Sequence, residues 1–153
     1  MSLNLYAFLK SPVDVSRADL AEALAAVGFP AVVPHELSEA DGYWPVEFAE
    51  RHCGVQMVIS DTVEGAFADD PEILGRLGGR DRHVLFWWSS LAQEGGAAYA
   101  IAAALIRRCD ALVYDPEEGG WMDLEGCRKV AREMFDWARE ENEPENRPDA
   151  DDA

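Results

Sequence analysis

Apolar residues occupy both parities of an extended run in the middle of the chain. In HVLFWWSS, residues 83–90, Val84, Phe86 and Trp88 share one face while His83, Leu85 and Trp87 share the other, because side chains alternate along a strand. Neither set is polar, so the pattern predicts an interior strand covered front and back rather than an edge strand wetted on one side. A helical stretch follows the Gly95, Gly96 pair and runs to about Arg108, with Ala98, Ile101, Ala102, Leu105 and Cys109 spaced by threes and fours. That stripe is mostly alanine, which lets a helix axis approach a sheet of large rings. Arg107 and Arg108 suit the negative end of the helix dipole. Residues 111–114 form a second extended run, ending at Asp115 and Pro116.

The first extended run, LNLYAFL at residues 3–9, is also apolar on both faces. Ser16 as N-cap with Asp19 three residues on predicts a helix from Arg17 to Val27. Gly28 is its stop, Phe29 can fold back on Leu24, and Pro30 prevents resumption. Ala31 to Val33, pinned between Pro30 and Pro34, fit a sheet edge. Residues 34–42 read as loop, Tyr43 to Phe48 as an aromatic extended segment, 50–54 as a turn and Val55 to Ser60 as a half-buried strand. Asp61 to Asp69 fit strand and loop equally. Asp70, Pro71 and Glu72 then announce a short helix that stops at Gly78 and Gly79. After the PEEGGW loop, Asp123 caps a last helix with Leu124, Cys127, Val130, Ala131, Met134 and Ala138 on one face.

Strand, helix, strand thus occurs near each end of the chain, with strand material between. This order predicts an α+β fold, a ferredoxin-like split-βαβ sheet carrying an additional C-terminal helix, with the strand of residues 83–89 inserted beside the first strand. The alternative is an open, mainly parallel α/β sheet, since a strand, a crossover helix and a second strand in one sheet are expected to run parallel.

Length and charge narrow the function. A chain of 153 residues is expected to form one domain over residues 1–139. No apolar run approaches the roughly 20 residues of a membrane-spanning helix, and MSLNLYAFLK does not resemble a secretory leader. The three cysteines are widely separated, with no CxxC, which suits free thiols in a reducing cytoplasm. The net charge of −17 argues against direct contact with nucleic acid and favours a basic protein partner. Seven of the acids fall in residues 140–153, where Pro144 and Pro148 point to a disordered acidic tail.

Chemistry-bearing residues are sparse. His35, His52 and His83 lack metal-ligand spacing, and His52 beside Cys53 forms no nucleophilic pair, so no metal or cofactor is expected. The glycine pairs match no phosphate-binding motif and read as caps and turns. A polar site for a small ligand or a hydrolytic reaction can be assembled from Ser89, Ser90 and Asp115, provided their strand ends meet at one edge. Asp61 would join them only in a parallel arrangement. The second candidate is a binding surface: Tyr43, Trp44, Phe48 and Trp121 as anchors, with Glu117 and Glu118 among the surrounding acids. The leading expectation is therefore a non-catalytic protein that binds a basic protein partner and also self-associates. Small acidic inhibitors and immunity proteins that neutralise basic toxins or nucleases share this charge and size, and the analogy extends no further.

Overall fold

The computed structural model describes residues 3–48, 51–60, 67, 69–89, 91–117 and 120–146. Its elements, in chain order, are β1 (Leu3–Leu9), α1 (Arg17–Ala26), β2 (Ala31–Val32), a 3-10 turn (Leu37–Glu39), β3 (Asp41–Phe48), β4 (Arg51–Ser60), α2 (Pro71–Arg76), β5 (Arg82–Trp88), α3 (Ala92–Cys109), β6 (Leu112–Asp115), β7 (Gly120–Met122) and α4 (Leu124–Asn146). The seven strands form one sheet in the order β2-β3-β4-β5-β1-β6-β7, and every pairing is antiparallel.

This corrects both expected architectures. The sheet is neither a four-stranded ferredoxin-like sheet nor a parallel one. β5 and β6 do run in the same direction, but β1 lies between them and hydrogen-bonds antiparallel to each, with Ala7 facing Val84 on one side and Val113 on the other. The long β3–β4 pairing adds strands beyond β5 that the expected fold lacks. Residues 51–54, read as a turn, belong to β4, where Pro45 faces Gly54 and Phe48 faces Arg51. Two expectations nevertheless describe the molecule: β5 is the middle strand, as its apolar faces imply, and it lies beside β1, though in a different sheet from the one expected.

Local signals fixed the helix ends. Ser16 and Asp19 form the reciprocal capping box of α1. At its other end the Phe29 N–H donates to the Leu24 carbonyl at 2.9 Å and the Gly28 N–H to that of Ala25 at 3.1 Å, with Gly28 at φ +99°. The Asp70 carboxylate caps α2 by accepting from the Ile73 N–H at 3.2 Å. α4 continues through Asn146, so residues 140–146, expected in the tail, are helical and Pro144 falls in the last turn. Residues 147–153 lie outside the described residues.

Alternation divides the sheet into a front and a back. On the front, Leu5, Ala7, Leu9, Trp44, Val46, Phe48, Val55, Met57, Val84, Phe86, Trp88 and Val113 enter one core with α1, α3 and α4. α3 is buried nearly all round, as an alanine-rich helix between a sheet and other helices must be. Gly95 and Gly96 lie inside α3 rather than ahead of it, and α4 supplies the reason. A Cβ on Gly96 would lie 2.8 Å from the Phe135 ring, and one on Gly95 2.5 Å from Met134 Cε and 2.9 Å from Trp88 Nε1.

Glycine in a helix interior forgoes about 1 kcal/mol relative to alanine, whereas forcing a methyl into a filled core costs about 1–3 kcal/mol. Gly96→Ala is therefore expected to destabilise the protein in urea unfolding. Gly75→Ala, in the exposed face of α2 with no atom within 4 Å of the new methyl, is expected to be neutral or stabilising.

Candidate functional site

Because β5 and β6 run in the same direction, their C-terminal ends reach the same edge, as the polar site requires. Ser89 is exposed there, while Ser90 lies outside the described residues. Asp115 points into the core, 1% exposed. Its carboxylate accepts from the Tyr99 hydroxyl at 2.5 Å and from the Glu117 backbone N–H at 2.9 Å. The Tyr99 ring in turn meets Trp88 edge-on at 5.7 Å. Asp115 therefore ties α3 to the end of β6, out of reach of a substrate approaching Ser89. Nearby, burial first, and then the charges of Asp123 and Asp115, push the Cys127 thiol up to about 12.

The other chemical candidates do not converge. His83 is buried on the back face among the rings of Tyr6, Phe8 and Phe67, and His35 is exposed. His52 and Cys53 are successive residues of β4. Asp61 lies outside the described residues. Among the described residues no three His, Cys, Asp or Glu side chains form a metal-ligating group, and no helix is long and apolar enough to cross a membrane.

The expected aromatic surface is divided by the pleat. Trp44 and Phe48, 2% and 5% exposed, lie in the front core, and Trp44 Nε1 donates to the Glu36 carbonyl at 3.4 Å. Tyr43 and Trp121 lie on the back. Five strand spacings separate β3 from β7, about 24 Å at about 4.8 Å each, so these two rings are not neighbours. Glu117 is exposed beside β6, and Glu118 lies outside the described residues. Trp121 packs on Tyr114 at 5.0 Å, and the Arg76 guanidinium stands 5.3 Å from its ring centroid.

A different surface appears between those two rings. Across the back, the register aligns Tyr43 with Gln56 and Trp87, and Asp41 with Val58, Leu85 and Tyr6. The second, smaller core, formed by Phe8, Phe67, Ile73 and Leu77, gathers Tyr6, Leu74, Leu112, Tyr114 and Trp121 around it. Tyr43, Pro45, Val58, Leu85 and Trp87 belong to neither core. Tyr43 is 55% exposed and the other four are half-buried. This corrects the expectation that β5 is shielded on both sides: Trp88 is buried, but Trp87 is only partly covered.

The Tyr43 ring lies against Gly54 on the neighbouring strand, where a Cβ would come within 2.8 Å of its Cζ and hydroxyl oxygen. An aromatic ring over a strand glycine repairs the gap left by the missing side chain, so this ring is exposed yet placed. Asp41 and Glu47 project to the same face of β3. The arrangement offers apolar and aromatic contact area with carboxylates alongside, and no convergent catalytic set.

Compared with protein-family models, curated proteins and solved structures, the chain matches none.

Two measurements check this geometry. Gly54→Ala is expected to lower stability by about 1–3 kcal/mol, since the new methyl meets both the Tyr43 ring and the Trp44 carbonyl oxygen; unchanged urea unfolding would contradict the close approach. The Cys127 thiol stays protonated in the folded protein well above the pH at which an unfolded cysteine ionises. Folding stability is therefore expected to fall as pH rises past about 8.5, and iodoacetamide at pH 8 should label Cys127 only after unfolding, as read by mass spectrometry.

Proposed function

We propose that this protein is a non-catalytic binding protein that docks a basic protein partner on the β3 to β5 half of the sheet's back face. The carrying observation is the group Tyr43, Pro45, Val58, Leu85 and Trp87, aligned across three strands and left out of both cores. Apolar surface gains about 25 cal/mol per Å² when removed from water, and Tyr and Trp are the residues most often found to dominate binding energy. Two such rings on a stiff sheet need little reordering to bind.

The charge selects the partner. Asp41 and Glu47 lie on the same face, and the net charge is −17. Opposite charge on a partner speeds encounter and suppresses wrong partners. Pairing two copies through this face would bring like charges together, so the reading favours a heterologous basic protein over self-association. Such a protein would act as a neutralising inhibitor, masking a basic surface on its target. The free cysteines Cys109 and Cys127 suit a reducing cytoplasmic setting.

Affinity capture from lysate at low and high salt tests the reading. A bound basic protein is expected at low salt, released at high salt, and reduced by about tenfold or more with Trp87→Ala or Tyr43→Ala, while the α1 control Glu22→Gln retains it. Equal capture by wild type and by both folded face variants would remove the proposal.

A further inference from the structure

The front of the molecule holds a cleft of the opposite character. Where α1 ends, Gly28 turns the chain and Phe29 folds back toward α4, while Phe48 reaches the same place from the end of β3. Phe135 joins them, its ring 5.7 Å from Phe29 and 5.1 Å from Phe48. These rings, the guanidinium groups of Arg132 and Arg139 and the carboxylate of Asp136 line an open cavity of about 280 Å³.

The arginines along this side of α4 differ in what they already do. Arg128 is engaged: its Nε donates to the Val27 carbonyl at 2.8 Å and its Nη1 pairs with Glu125 at 2.9 Å. Arg139 pairs with Asp136 at 3.3 Å, a solvent-exposed contact of small energy. Arg132 stacks over Phe29, 5.7 Å from the ring centroid, and among the described residues no carboxylate pairs with it. That is notable in a chain with 30 acids and 13 Lys and Arg.

We propose that this cleft binds a small aromatic carboxylate, with its ring against the phenylalanine floor and its carboxylate on Arg132, assisted by Arg139. A guanidinium presents a planar fork that accepts a carboxylate through two parallel hydrogen bonds. Aromatic rings pack favourably edge-on or offset, and the cavity has about the volume of the smallest ligand sites. The overall negative charge does not forbid an anion here. Asp136 also lines the cavity but is paired with Arg139, so the lining keeps the positive charge of Arg132, and charges farther than about 8–10 Å are largely screened at physiological salt.

The test uses naphthoate and its neutral amide, naphthamide, titrated into the full chain and followed by backbone amide NMR. Naphthoate is expected to give saturable shifts at Gly28, Phe29 and Phe135 and to bind about tenfold more tightly than naphthamide. Arg132→Gln, an exposed substitution, should abolish that preference while leaving the remaining spectrum in place. Equal affinity for acid and amide, no saturable shift with millimolar naphthoate, or unchanged preference in Arg132→Gln would each overturn the assignment. Because the cleft is on the front and Trp87 on the back, either outcome leaves the protein-docking reading to its own experiment.

Discussion

The close approach of α3 to its neighbours is the contact on which the architecture depends. Ala97, Ala98, Ala100, Ala102, Ala103 and Ala104 are fully buried, and Gly95 and Gly96 let Met134 and Phe135 of α4 occupy the space where side chains would stand. A helix stripped to small residues can touch the sheet, α1 and α4 together, and large rings from those partners fill the remaining volume. Three of the four helices are thereby committed to one side of the sheet. Among the described residues the back carries α2, six residues long, which with Phe67 packs on β1, β6, β7 and the His83 end of β5. The partly exposed β3 to β5 half is thus a consequence of where the helices had to go.

Burial also explains why the most conspicuous carboxylate is not a free chemical group. An ionised carboxylate in a core is tolerable only when hydrogen bonds replace the water it has lost. Asp115 has the Tyr99 hydroxyl and the Glu117 N–H, and hydrogen bonds to charged groups contribute about 1.5–3 kcal/mol. Trp88 shows the other side of the same rule. Among the described residues its Nε1 is buried without an acceptor, although the Met134 thioether, a weak acceptor, crowds the same side of Gly95. The dense packing around α3 accommodates this donor and gains two large rings.

What the sequence revealed was mostly local. The Ser16 and Asp19 box, the reversal at Gly28 and Phe29, the Asp70 cap and the edge position of Ala31 and Val32 each depend on residues within one turn of each other. Strand partners are not encoded that way. Gly54 reads as a turn until the Tyr43 ring from the next strand is placed over it, and Gly95 with Gly96 read as a helix start until α4 is packed against them. The aromatic surface failed for a reason that alternation could have supplied: Tyr43 and Trp44 are adjacent in an extended segment, so they cannot both face a partner. Likewise alternation puts Leu85 and Trp87 on one face, but nothing near them in sequence says how far that face is covered.

The two surfaces that remain differ in sign, and the difference follows from helix geometry. A helix presenting Arg128, Arg132 and Arg139 on one side concentrates positive charge along a line, and the carbonyl end of α1 gives the first of them a structural task. The negative end of that helix dipole attracts cations, so arginines gather at this corner despite the acidic whole. Once Arg128 satisfies Val27, the guanidinium one turn further along α4 is left over Phe29 with donors to spare. On the back, β3 sets Asp41 and Glu47 on the same side as Tyr43. Packing α1, α3 and α4 on one side of the sheet thus leaves the arginines of α4 at the front and the carboxylates of β3 at the back, with the core between them.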